Sequence, residues 1–524
     1  MAADQQPDPS TTEVSPSQTA LAIGAVLAVV AALYLVPVLA HDWPMNDGGL
    51  FYAMIGDIID SGFALPDSTS YEQGAIPFAY PPLGFYFAAV IEEVSGLARA
   101  EIFRFLPSVF ATAAVGAIFL LADEIGPTRR HALVSMAFFG ALLSLNPAVT
   151  TLIGGGGLTR SMGLALAILA TWQGLRMLRT GRWLDVALTS VMAGLAVLSH
   201  PQAGVFVVVA LGAAVLTRWR SFRGLALLVA AAAGTLLVIA PWLVTVAARH
   251  GIEPFLSASG VPDRDLVASL LAYGFLFLAI APMVGLLDIV GQVQQAAARR
   301  PHLLVWRIGV FLLDFRFTPV AAAAPTSLLA AHGVLDAIVP LAWQLAGRRG
   351  RELTGTERSR WRRAIVLVLV GLAFLPATWL ALDATRPSAA LSSDQRAAME
   401  WVRAETPIET VTVSLASTSW GSDIVSEWFP ALSLRRSAST SQGLEWVAEL
   451  RDAHATTETE LRGCRSTDDR ASCVADWVDR HLADQAVVVF IDGDTDPGLG
   501  AELVAAHGYR TLWSSDSGAL LEPA

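Results

Sequence analysis

HDWPMNDGGLFYAMIGDIIDSG, residues 41–62, followed at 77–84 by PFAYPPLG, is the stretch on which the reading of the fold turns. It comes directly after an apolar run over 19–40 that is long enough for a helix across a bilayer, and its second piece opens the next apolar run. Asp42, Asp47 and Asp57 therefore stand beside a membrane surface, where a carboxylate is costly without a task or a path to solvent. Asp47 heads an amphipathic segment, and two readings of it stay open. It could accept a proton from an acceptor hydroxyl, or hold a divalent metal (Mg or Mn) against phosphate oxygens. Alternatively, Asn46 or Asp47 caps the helix beginning at Gly48, where negative charge meets the helix dipole.

The apolar run at 19–40 recurs down the chain. Of 524 residues, 54% are hydrophobic and 15% charged. Further runs lie near 104–122, 132–150, 162–178, 184–199, 202–217, 223–247, 265–289, 302–320, 321–343 and 364–383. The expected fold is a polytopic α-helical membrane protein of about 11 transmembrane helices with a C-terminal α/β domain outside the cytoplasm. Arginine sets the orientation. Clusters at Arg129-Arg130, 176–182, 218–223, Arg299-Arg300 and 347–363 fall between spans in the alternation that a cytoplasmic side requires. This puts the N-terminus inside the cell, residues 385–524 outside, and the chain in the plasma membrane. The segment 81–96, short and carrying Glu92 and Glu93, reads as a helix lying on or partly in the membrane surface, inside one outer loop over 41–103. Twelve spans with the C-terminus inverted is the alternative.

Residues 1–18, polar and rich in Pro and Ser, read as a disordered cytoplasmic tail, and 19–384 as the membrane domain. From residue 385 the texture becomes that of a soluble domain, with strands expected at 410–416, 486–492 and 509–515 alternating with helices. The chain has no lysine. Beyond 385 there are 11 arginines against 22 acidic residues, a balance of −11 equal to that of the whole chain, so the membrane part is neutral. An acidic, lysine-free outer domain suits a halophile and argues against nucleic acid as a partner. Cys464 and Cys473, nine apart, would pair as a disulfide outside the cell or remain two thiols inside it.

Arg104, Arg160, Arg249, Arg264 and Arg316 fall at the outer ends of spans, where basic residues are least expected. Converging on one cavity, their guanidiniums would bind the phosphate of a lipid carrier; singly, each would snorkel or pair with a nearby carboxylate. Tyr52, Tyr80, Tyr86 and Trp242 are candidate linings for a sugar or prenyl group, or interface anchors, and Asp42, His200 and His250 lie on the same side. The run Gly154–Gly157 before Leu158-Thr159-Arg160 permits close backbone approach, could present amides to an anion, or is a hinge. No HxxxH or HExxH spacing for zinc occurs.

Asp47 just after the first span, Pro81-Pro82-Leu83 opening the next helix, Arg104 in RFLPS and the outer C-terminal domain together resemble the C-type membrane glycosyltransferases (GT-C superfold), in the branch of protein O-mannosyltransferases and lipid A aminoarabinose transferases. The later EWFPALSLRRS and QGLEW stretches look like those of prokaryotic membrane proteins of the same kind. The resemblance implies transfer of a sugar from a polyprenyl-phosphate carrier, with inversion, to a glycan, lipid or protein acceptor. It makes Asp47 the base or metal ligand, and gives Arg104 the phosphate or the orientation of the acidic loop. Two positions depart from the pattern. Tyr80 stands where aminoarabinose transferases have lysine, and GGGGLTR stands where many relatives carry a second acidic residue, so Arg160 would supply the missing charge. A lipid-linked-sugar transporter, with charges buried in mid-span, and a non-catalytic scaffold are the alternatives.

Overall fold

The computed structural model describes residues 14–145, 148–258, 275–312, 317–349, 353–415, 418–493, 496 and 498–524. The first helix, Pro16–Ala40, begins three residues before the expected span, because Ser15 accepts the Gln18 amide and Pro16 occupies the first turn. Five helices among the described residues are long and apolar enough to cross a bilayer: Pro16–Ala40, Arg99–Ile125, Phe222–His250, Thr318–Arg348 and Gly355–Asp383. Shorter or more buried helices fill the bundle between them: Arg129–Leu143, Gly157–Thr180, Trp183–Ser199, Pro201–Thr217, Pro282–Ala297 and His302–Leu312. Gly157–Thr180 packs against Arg99–Ile125, Trp183–Ser199 and Pro201–Thr217 and is buried along most of its length.

Two expected boundaries move. The span expected at 265–289 is partly outside the described residues, and its helix runs Pro282–Ala297 after an extended break at Ala281. The helix expected from 321 begins at Thr318 and continues through a π-turn at Gly333–Ile338 to Arg348. Charge is also buried inside the bundle. Asp288 is fully buried and takes Nε and Nη2 of Arg307 at 2.7 and 2.6 Å, and a buried charge persists because its partner is in place.

In the loop after the first helix, Gly49–Asp60 buries Leu50, Phe51, Met54, Ile55 and Ile58 on one face. The surface-lying segment expected at 81–96 is the helix Leu83–Ser95, whose 13 residues reach about 20 Å. It leaves Phe87, Val90 and Val94 exposed, and Glu92 is paired with Arg99. These helices share one apolar core with the C-terminal domain, in which Met54, Phe85 and Phe103 meet Met399, Trp428, Phe429 and Phe490.

That domain is built on a sheet of β1 (Val411–Ser414), β2 (Arg436–Ser437), β3 (Val487–Asp492), β4 (Arg510–Ser515) and β5 (Gly518–Glu522) in the order β2-β1-β3-β5-β4. β1 runs parallel to β2 and β3, and β5 pairs antiparallel with β3 and β4. Alternation along β3 sends Val487, Val489 and Ile491 to one face, under Val474, Trp477 and Leu503, and Val488 and Phe490 to the core shared with the outer loop. The short strands β2 and β5 and the helices Ile424–Ser433 and Ala448–Cys464 were not foreseen. Cys464 and Cys473 form a disulfide between Ala448–Cys464 and Arg470–Leu482.

Candidate active site

The chain from Met45 to Gly48 is held on several sides. Asn46 N–H donates to the Ala389 carbonyl at 2.8 Å, Gly155 N–H to the Met45 carbonyl at 2.8 Å, and Trp428 Nε1 to the Asn46 carbonyl at 3.0 Å. Gly48 has φ +142°, and a Cβ there would strike Phe103 and the Gly155 backbone. A Cβ on Gly155 would in turn collide with the Asp47 carbonyl. The glycine run therefore lets two backbones touch, and that contact places Asp47.

The capping reading of Asp47 does not survive. No side chain of the loop caps Gly49–Asp60. Instead Glu427, 379 residues further along and in the first turn of Ile424–Ser433, accepts the Gly48 amide at 2.8 Å and also the Leu50 amide. Asp47 keeps one hydrogen bond, from Asn46 Nδ2 at 3.2 Å. Its carboxylate lines a pocket of about 120 Å³ with Asn46, Gly421, Ser422, Asp423, Ile424 and Glu427.

Arg160 closes the other side of the loop. A Cβ on Gly156 would lie 3.1 Å from Arg160 Nη1 and 3.2 Å from Asp47 Oδ2, so the two charged groups meet over that glycine. Among the described residues Arg160 makes no ion pair or hydrogen bond, although Tyr80, His200 and Glu427 all feel its charge. Burial first, and then the Asp47 charge, push the Glu427 carboxyl well above the usual carboxylate range, against the pull of the two amides and Arg160. Two carboxylates in one small pocket cannot both ionise cheaply without a cation. Asp47 and Glu427, with the Asn46 and Asp423 oxygens beside them, are a hard-oxygen set that fits a divalent ion such as Mg or Mn.

Behind Arg160, Tyr80 Oη lies 2.8 Å from His200 Nδ1 and 3.1 Å from Thr159 Oγ1. Burial and the Arg160 charge bring His200 down to about 3, so the imidazole is neutral. Asp47, Arg160, Tyr80 and His200 thus form one neighbourhood.

Other candidates lie elsewhere. Arg104 pairs with Glu101 at 2.7 Å and donates to the carbonyls of Val38 and His41, tying the end of the first helix. Arg249 donates to the Leu65 and Pro66 carbonyls at 2.9 and 3.1 Å, and His250 Nε2 lies 2.9 Å from the Asp67 carbonyl. These three hold the loop's own backbone and do not line the pocket. Asp42 is exposed and forked to Arg396 at 2.6 and 3.1 Å, joining the loop to the C-terminal domain. Tyr52 packs between Trp43, Phe103 and Trp428, and Trp242 on Phe255. Arg316 and Arg264 lie outside the described residues. The sequence reading missed Glu427 and Asp423, whose only signal was the EWFP stretch.

A family model, that of dolichyl-phosphate-mannose-protein mannosyltransferases, matches residues 79–244, which include Tyr80, Arg104, Arg160 and His200. No curated protein matches the chain by sequence. Among solved structures, the apo oligosaccharyltransferase of Archaeoglobus fulgidus superposes with a TM-score of 0.60 at 15% identity, over 93% of this chain and 71% of that one. ArnT from Cupriavidus metallidurans bound to undecaprenyl phosphate gives 0.57 at 16% identity, over 95% of this chain and 98% of its own. The mycobacterial arabinofuranosyltransferase AftD gives 0.59 at 13%, over 98% of this chain and 40% of its own. The chain thus has the helical membrane fold of the C-type glycosyltransferases and resembles their protein mannosyltransferase and aminoarabinose transferase branch.

Proposed function

We propose that the protein is an integral-membrane glycosyltransferase that moves a sugar from a polyprenyl-phosphate carrier to a hydroxyl of a glycan, lipid or protein acceptor on the outer face of the plasma membrane. One observation carries the reading: among the described residues Asp47 has a single hydrogen bond and faces an Arg160 with no ion pair or hydrogen bond, while its expected structural role is filled by Glu427. Asp47 would take the proton of the acceptor hydroxyl as that oxygen attacks the anomeric carbon and the bond from carbon to the phosphate oxygen breaks. Arg160 would meet the charge that develops on the departing polyprenyl phosphate, where a forked guanidinium is worth most. Asp47 and Glu427 would hold the divalent ion, which when bound supplies positive charge beside the phosphate. Tyr80 and neutral His200 would shape the donor side. The ArnT relative bound to undecaprenyl phosphate supports the class of carrier.

The proposal includes eleven crossings, a cytoplasmic N-terminus and an outer domain from 385 that shapes acceptor access. In support, basic clusters distant in sequence meet in space. Arg218, Arg299 and Arg300 line one pocket, and Arg130, Arg362 and Arg363 line another, both away from Asp47. The test is Asp47→Asn in lipid vesicles loaded with polyprenyl-phosphate-linked sugars, with release of polyprenyl phosphate measured alongside mass spectrometry of cell-surface glycans in the host. Both readouts are expected to fall; unchanged release and unchanged glycans at normal expression would overturn the assignment.

A further inference from the structure

Three ligand-bearing side chains meet at the opposite end of the bundle. His131 sits in the first turn of Arg129–Leu143, His332 closes Thr318–His332, and Asp336 lies in the π-turn Gly333–Ile338. His131 Nε2 is 3.0 Å from Asp336 Oδ1, and His332 Nδ1 is 2.7 Å from Asp336 Oδ2. The imidazole rings stand 4.9 Å apart, and one ligand atom from each residue falls within 4.8 Å of the others. Both histidines are buried, and the Asp336 side chain is 38% exposed.

We infer that this triad is a zinc site. Two imidazole nitrogens and one carboxylate oxygen are a zinc-type donor set, and tetrahedral ligands about 2.0 Å from zinc stand about 3.3 Å apart. The two nitrogen–oxygen separations here are slightly shorter than that value and all three donors lie within 4.8 Å, so small rotations bring them onto one ion. Thr128 Oγ1 lies 2.8 Å from His131 Nδ1 and fixes the ring with Nε2 toward Asp336, as a hydrogen bond to the far ring nitrogen orients a metal-bound histidine. His332 and Asp336 stand four residues apart on one helix face, and Asp336 lies in the π-turn, a feature that recurs at functional sites. His332 also lines a pocket of about 490 Å³ with Glu124, Gly126, Gln295 and His302, which gives the ion a route in. Zinc would replace the imidazole protons now facing Asp336 and clamp the start of Arg129–Leu143 to the middle of Thr318–Arg348. No HxxxH spacing marks such a site, since its two histidines come from separate helices.

The test uses the full chain in detergent, stripped with a chelator and titrated with zinc, then with cobalt to read the visible bands of a tetrahedral centre. One zinc per chain is expected, with a higher unfolding temperature for the wild-type protein on zinc addition. His131→Ala with His332→Ala should abolish uptake, and Thr128→Val should weaken affinity ~10-fold while leaving the stoichiometry intact. No uptake by the wild-type chain, uptake unchanged in the double variant, or octahedral cobalt bands would each overturn the site. The wild-type titration stands even if a variant fails to fold, and none of these readouts depends on sugar transfer.

Discussion

At one end of the bundle Asp47 retains one hydrogen bond and Arg160 none among the described residues, while at the other His131, Asp336 and His332 satisfy one another within 3.0 Å. Both ends gather titratable groups against buried surroundings, but they arrange them differently. Around Asp47, two glycine backbones and a glutamate from the C-terminal domain carry the structural duties, which leaves the aspartate and the arginine for the charged ligand proposed above. At the far end the three side chains already partner one another, and only an ion that displaces protons has anything to add. A carboxylate relieved of local structural work is the better marker of chemistry than one that is merely buried.

The largest expected effect breaks that comparison most directly. Asp47→Asn should lower transfer ~10³-fold, within the range for loss of a positioned base, while thermal unfolding stays within ~0.5 kcal/mol of wild type. Glu427→Ala, by contrast, removes the cap of Gly49–Asp60 and should cost ~1–2 kcal/mol in the same melt. Equal destabilisation by the two variants would mean that Asp47 has a structural duty after all.

Next in size, Arg160→Met should raise KM for the lipid-linked donor ~10- to 100-fold at normal expression, the scale of a lost charge-assisted phosphate contact. Arg104→Met should instead loosen the loop, read as faster proteolysis around His41, because its guanidinium binds the Val38 and His41 carbonyls. A donor effect confined to Arg104 would reverse the assignment.

A third prediction concerns pH. Glu72, buried in the outer loop and accepting the Ser437 amide at 3.0 Å, is pushed by burial from 4.5 up to about 8. A carboxyl raised on folding holds its proton longer in the native state, so stability is unaffected below pH 4.5 and declines as pH rises towards about 8. Glu72→Gln should flatten that part of the stability curve in thermal melts run across the interval. A curve of unchanged slope would place Glu72 in water.

The smallest effect on transfer is expected from Cys464→Ser with Cys473→Ser, which opens a short loop that does not line the Asp47 pocket. It should cost ~2–3 kcal/mol of domain stability by the loop-entropy relation and leave KM unchanged. A large loss of transfer at a temperature where the variant remains folded would tie this face of the sheet to the acceptor.

Much of the architecture was legible because membrane helices declare themselves locally. Apolar runs of span length, Ser15-Pro16 at a helix start and arginine clusters at alternate gaps are near-neighbour signals, and the helices Trp183–Ser199 and Pro201–Thr217 lie where their runs and the His200-Pro201 break put them. The strands β1, β3 and β4 showed for the same reason, as short apolar runs bounded by turns. β2 has two residues and no pattern of its own, and Ala448–Cys464 is too charged to advertise a buried face. In the site, Asp47, Tyr80, Arg160 and His200 could be nominated singly, because polar residues at the ends of apolar runs stand out.

What the amino-acid order determined by itself was which segments are helical, how they alternate and which charged residues sit at their ends, since those properties depend on neighbours a few positions away. Tertiary structure alone decided that Asp47 is not the cap. That outcome rests on a glutamate 379 residues distant that takes the Gly48 amide, and the proposed catalytic role rests on a glycine loop that brings Asp47 and Arg160 to the same side. Hydrogen-bond satisfaction is a property of the folded neighbourhood, and no local pattern records it.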